Sequence, residues 1–139
     1  MYYGNIKKTD IANGTGVRVS LFVSGCRRHC KDCFNSETGG FCYGNEFTDD
    51  TMNEIITAMD KEYIKGFSLL GGEPFEKENR MAVQYILKTI KEHFPNKTVW
   101  CYSGFTFEEL VGECEDILKY IDVLVDGAFV AGKKKLKMK

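Results

Sequence analysis

The sequence predicts an α/β fold carrying a mainly parallel sheet, on three observations. Short apolar runs, the first of them β-branched, alternate with segments whose apolar residues recur at helical spacing, in the order strand, helix, strand, helix, strand, helix, strand. Each strand-helix-strand unit takes about 30 residues, so a chain of 139 residues holds roughly four. A complete eight-unit barrel takes at least about 200 residues, so a barrel formed here is an open, partial one.

The first strand is Val17 to Val23, which ends at Ser24-Gly25. From Arg27 to Glu46 no usable period exists, and Gly39, Gly40 and Gly44 punctuate a polar, cysteine-bearing loop. Thr48, Asp49 and Asp50 offer N-caps to a helix whose Met52, Ile55, Ile56 and Met59 form a buried face. Phe67 to Leu70 is the second strand. Glu78 to Phe94 repeats the helical pattern through Met81, Val83, Tyr85, Ile86, Leu87 and Ile90 until Pro95-Asn96 stops it. Thr98 to Tyr102 is a strand, Phe107 to Tyr120 a helix broken at Gly112, and Val123 to Val125 a strand ending at Asp126-Gly127.

In parallel α/β architectures ligands sit beyond the carboxyl ends of the strands. Those ends carry Cys26, Gly71-Gly72-Glu73-Pro74, Ser103-Gly104 and Asp126-Gly127, so the unusual chemistry falls on one rim. Length argues for one domain, residues 1–139. Its tail from Lys133 has five lysines in seven residues, too little apolar surface to order itself, and is expected frayed.

Hydrophobic residues make up 43% and charged residues 28%, with a net charge of -1, which gives no reason to expect a nucleic-acid partner. The N-terminus lacks the apolar core of a signal peptide, and no stretch reaches the ~20 apolar residues of a membrane span. The expected location is cytoplasmic.

Three of the six cysteines crowd into Cys26-Arg-Arg-His-Cys30-Lys-Asp-Cys33. A C-x3-C-x2-C spacing lets three thiolates converge from one loop on a compact inorganic centre. Three thiolates on a four-iron cubane leave one iron open to a small ligand, which suits reactivity better than electron storage. A zinc site completed by His29, Cys42 or another residue is the alternative. Cys101 and Cys114 fall in a strand and a helical stretch, where a free cysteine acts as a small buried hydrophobe.

The triad followed at once by Phe34 resembles the signature of the radical S-adenosylmethionine superfamily. Ser68-Leu69-Leu70-Gly71-Gly72-Glu73-Pro74 resembles that superfamily's glycine-rich segment. Asp10 to Gly16, Leu21 to Cys26, Trp100 to Phe105 and Asp122 to Gly127 narrow the resemblance to the activating proteins of anaerobic ribonucleoside-triphosphate reductases, over about Tyr3 to Val130. Members usually continue with an Arg-Gly-Ser-like and Asn-Gln-like stretch, where this sequence ends in Lys133 to Lys139, truncated or divergent.

The resemblance implies that Cys26, Cys30 and Cys33 ligate a [4Fe-4S] cluster, and that the backbone from Asp32 to Phe34, with the Phe34 ring, lies against S-adenosylmethionine. Gly71, Gly72 and Glu73 are expected at its methionine end, since glycines without Cβ let backbone approach an ammonium closely. Ser103 and Asp126 are candidates for ribose or adenine contacts by position alone. The implied activity is reductive cleavage of S-adenosylmethionine that leaves a glycyl radical on the catalytic subunit of the reductase. The implied electron donor is flavodoxin- or ferredoxin-like. A small-molecule enzyme of the same superfamily, such as one making a deazapurine precursor, and a zinc-stabilised interaction module are the other readings. Anaerobic purification should give about four iron and four sulfide per chain; one zinc without sulfide would sink the cluster.

Overall fold

The computed structural model describes residues 1–24, 45–130 and 133–138, with 126–130 and 133–138 described by backbone alone. Among these, the chain forms β1 (Tyr2–Asp10), β2 (Val17–Val23), β3 (Asn45–Glu46), α1 (Asp49–Met59), β4 (Ile64–Gly71), α2 (Lys77–His93), β5 (Thr98–Tyr102), α3 (Phe107–Val111), α4 (Glu115–Leu118), β6 (Val123–Val130) and β7 (Lys133–Met138). The strands make one sheet in the order β3-β1-β2-β4-β5-β6-β7. Its centre, β2, β4, β5 and β6, is parallel. The flanking strands β1, β3 and β7 pair antiparallel.

Period-2 alternation decides which side of the sheet is covered. Val19, Leu21 and Val23 of β2, Phe67 and Leu69 of β4, Val99 and Cys101 of β5 and Leu124 of β6 join one buried cluster. Met52, Ile55 and Met59 of α1, Val83, Ile86, Leu87 and Ile90 of α2, and Leu110, Ile117 and Leu118 belong to it as well. Each such side chain contributes about 1.5–3 kcal/mol when fully buried. Strand order advances in a single direction from β2 to β6, so right-handed crossovers put the helices on the same face. Thr48 caps α1 in a reciprocal pair with Thr51, and the break at Gly112 separates α3 from α4 as its position predicts.

Four expectations need correction. Tyr2–Asp10 is a strand that the sequence pattern hides, because its residues are polar and half-exposed rather than alternating. The basic tail is not frayed: Lys133–Met138 pairs with β6, whose edge offers backbone partners to a lysine-rich strand of the kind that guards sheet edges. The last parallel strand does not end at Asp126-Gly127, since β6 runs on to Val130; only its parallel pairing with β5 ends at Val125. On α2, Met81 is 86% exposed and Tyr85 49%, so the buried stripe runs instead through Asn79, Val83, Ile86, Leu87 and Ile90.

The opposite face of the sheet carries polar residues that are nonetheless buried. Arg18, at the amino end of β2, is fully buried. Its guanidinium donates to Ser68 Oγ at 2.9 Å, Thr98 Oγ1 at 2.9 Å, and the carbonyls of Thr15 at 3.1 Å, Phe67 at 3.1 Å and Thr98 at 2.7 Å. Burial pulls it down to about 10, which leaves it charged at neutral pH. The Trp100 ring lies 5.7 Å from it, and the Cβ that any other residue would add at Gly66 would sit 2.0 Å from the Thr98 carbonyl. Beside it, burial pushes the Asp10 carboxyl up, but hydrogen bonds from Asn13, Ala12 and Ser20 prevail and hold it below its ordinary value. This network fastens residues 11–16 across β2, β4 and β5.

Replacing Arg18 by Met strips the donor from three carbonyls and two hydroxyls. Urea unfolding should show a loss of about 3 kcal/mol, with a smaller loss for Arg18→Lys, which keeps the charge but not the planar fork.

Candidate active site at the carboxyl rim

The parallel strands end side by side. Register brings Val23 of β2 opposite Gly71 of β4, and Tyr102 of β5 opposite Val125 of β6. At Gly71 the backbone turns with φ of +114°, and a Cβ there would sit 2.5 Å from the Val23 carbonyl oxygen and 2.6 Å from its nitrogen. Only glycine meets both demands. The next amide, Gly72 N–H, donates to the Val23 carbonyl at 2.8 Å and carries the β2–β4 seam past the end of the ladder. Gly71 is exposed and Gly72 half-buried, so this part of the rim is open.

Glu73 turns the other way. It is 1% exposed, and its carboxylate accepts from Ser103 Oγ at 2.8 Å, Gly104 N–H at 2.7 Å and Phe75 N–H at 3.0 Å. Burial raises its pKa, against the pull of those three hydrogen bonds. The side chain expected at a ligand's methionine end is thus a brace between the end of β4 and the end of β5. Ser103 is occupied in the same brace, since its Oγ also accepts from Phe105 N–H at 3.0 Å. Among the rim candidates whose exposure is described, Gly71 and Gly72 are accessible while Glu73 and Ser103 are buried.

Asn79 escapes the sequence reading. Its amide donates to the Ser24 carbonyl at 3.1 Å and to the Glu73 carbonyl at 3.0 Å, with 2% of the residue exposed. The signal was present in the spacing: Asn79 precedes Val83, Ile86 and Ile90 by four, seven and eleven residues, and so lies on the core-facing stripe of α2. A polar residue on such a stripe must find partners.

Cys26, Cys30, Asp32, Cys33, Phe34 and the spare thiol Cys42 lie outside the described residues, as does the side chain of Asp126. Its backbone directly follows the last residue of β6 paired with β5. Ser24, two residues before Cys26, is buried, and its N–H donates to the Tyr2 carbonyl at 3.0 Å. The cysteine segment therefore departs from a fixed point beside Gly71-Gly72. Cys101 and Cys114 are buried free thiols, and burial pushes the Cys101 thiol well up, away from the thiolate that a metal requires.

Comparison with known proteins bears on this rim. Residues 12–139 match the profile of the 4Fe-4S single cluster domain family. Proteins named anaerobic ribonucleoside-triphosphate reductase-activating protein match over almost the whole chain. That of Enterobacteria phage T4 is 37% identical over 129 residues, 93% of this chain and 81% of the relative. That of Vibrio cholerae is 39% identical over 132 residues, 94% and 85% respectively. The Escherichia coli K12 protein is 35% identical over 136 residues, 96% and 88%. The chain belongs to this activating-protein family. Membership decides between the two metals that the cysteine spacing left open, in favour of the iron-sulfur cluster. Among the described residues no helix is long and apolar enough to cross a membrane.

Ser103→Ala should cost about 2 kcal/mol by urea unfolding at neutral pH, because it removes a buried donor from an ionised carboxylate. That donor holds the Glu73 pKa down, so its loss lets the folded carboxyl bind a proton at still higher pH. The destabilisation should be full above the raised folded pKa of Glu73 and shrink as pH falls through it.

Proposed function

We propose that this chain activates an anaerobic ribonucleoside-triphosphate reductase by generating a glycyl radical on its catalytic subunit, through reductive cleavage of S-adenosylmethionine at a [4Fe-4S] cluster held by Cys26, Cys30 and Cys33. The observation that carries the reading is the seam at the carboxyl rim. There Ser24, which leads into the triad, and Gly71-Gly72, which resemble the superfamily's glycine-rich segment, are held together by hydrogen bonds from Gly72 and Asn79. The relatives' name supports the partner, and the family's cluster domain supports the cofactor.

The donor set fits the group: Cys26, Cys30 and Cys33 would hold three irons of a cubane and leave the fourth open to S-adenosylmethionine. When bound, the cluster supplies the electron that cleaves the sulfonium. The protein's part is binding and orientation. Gly71 and Gly72 present backbone to the methionine end, with no side chain to keep it away. Asp32 to Phe34 would meet the adenosyl part, for which the Phe34 ring is a flat face suited to adenine. Glu73 serves the same end by bracing the segment after β4 against Ser103-Gly104, and Ser103 and Asp126 border the adenosyl side. The singly wound sheet, with its helices on one face, supports an open partial barrel of the radical S-adenosylmethionine type, in a single cytoplasmic domain. A flavodoxin- or ferredoxin-like protein supplies the electron.

Mixing the reconstituted, reduced protein with S-adenosylmethionine and the reductase should give a glycyl-radical signal by electron paramagnetic resonance, with 5'-deoxyadenosine as co-product. Cleavage without a protein radical would favour the small-molecule enzyme; no cleavage from a fully loaded protein would refute the mechanism.

A further inference from the structure

Asn79 is the third residue of α2, after the exposed Lys77 and Glu78, yet its side chain points inward and is almost wholly buried. A buried carboxamide must place both amide hydrogens or lose stability. Here they go to two carbonyls from different parts of the chain, Ser24 beyond β2 and Glu73 beyond β4, separated by 49 positions in sequence. Both lie just past the point where the β2–β4 ladder stops at Val23 and Gly71. A 17-residue helix packed on the core through Val83, Ile86, Leu87 and Ile90 is a rigid mount for that link. An aspartate lacks both donors and a leucine of similar volume has none.

We propose that Asn79 is a positioning residue. It sets the backbone that enters the cysteine triad at a fixed spacing from the backbone that receives the methionine end of S-adenosylmethionine. The role rests on the reading of the rim given above and extends it to a residue outside both motifs. Both amide hydrogens of Asn79 are committed to those two carbonyls, so its part is positioning and not chemistry. Its effect is geometric, and geometry at a reacting centre is steep: a misplacement of about 1 Å costs as much as 100-fold in rate.

The test compares holoprotein reconstituted anaerobically as wild type, Asn79→Leu and Ile90→Val. The last trims the same helix three turns from the rim and controls for lost packing. Each is assayed for iron per chain, melting temperature, KM for S-adenosylmethionine in 5'-deoxyadenosine formation, and the change that S-adenosylmethionine produces in the resonance spectrum of the reduced cluster. Asn79→Leu with a full complement of iron should show KM raised about 10-fold and a weakened spectral response, while Ile90→Val keeps both at wild-type values. Wild-type KM and response in Asn79→Leu, or an equal KM rise in Ile90→Val, overturns the role. Should Asn79→Leu fail to take up iron, Asn79→Ser decides on the same readouts, since its hydroxyl is too short to span both carbonyls: a raised KM supports the role and an unchanged one overturns it. A wild-type protein silent toward S-adenosylmethionine overturns the reading of the rim and this role with it; a responsive wild type beside an indifferent Asn79 variant removes the positioning role alone.

Discussion

The close approach of Gly71 to Val23 is the constraint on which the rim depends. A parallel pair of strands normally diverges once its ladder ends, because each chain must turn into its own crossover. Here the backbone of β4 folds back against β2 at a positive φ, in a space that admits no Cβ, and the following amide hydrogen-bonds across the gap. Everything chemically distinctive in the sequence leaves from this contact. The cysteine segment begins just after Ser24 on one side of it, and Gly72-Glu73-Pro74 follows on the other.

Two buried charged groups then hold the same strands from opposite ends. Arg18, at the amino end of β2, binds the middle of β4 and the amino end of β5 through hydroxyls and carbonyls, and Glu73 binds the carboxyl ends of β4 and β5 through a hydroxyl and two amides. The hydrogen-bond partners named for both are neutral groups. Burying a charge among dipoles is poor economy for stability alone, since desolvation opposes most of the gain. It does fix geometry, because the charged group tolerates few alternative arrangements of the groups that solvate it. Strand ends held in this way can present backbone to a ligand without relying on the ligand to order them.

Much of this was legible in the sequence, for reasons that differ by element. The four parallel strands announced themselves as short apolar runs, because a strand covered by helices must be hydrophobic on that face. Helix α1 was marked by its cap at Thr48 and helix α2 by its stop at Pro95. The rim itself was legible as the set of strand ends. Strand β1 was not, since Asn5, Lys7 and Lys8 face solvent and break any alternation. The tail was not, because its order comes from the backbone edge of β6 and composition says nothing about an edge. On α2 the apolar Met81 and Tyr85, at near-helical spacing, face outward, while a polar residue, Asn79, takes the inward place. Glu73 was visible as part of a motif, but the direction of its carboxylate depends on Ser103 and Gly104, thirty residues away in sequence and adjacent only after folding.

The Arg18 network has a practical corollary. It lies six residues along β2 from Ser24, which at about 3.3 Å per residue puts roughly 20 Å between them. Heat tolerance can therefore be sought at the amino end of the sheet, by improving the packing around Arg18, Gly14 and Trp100, without disturbing the groups that would carry turnover. Stability can thus be adjusted at one end of the strands while the rim at the other end is left as it stands.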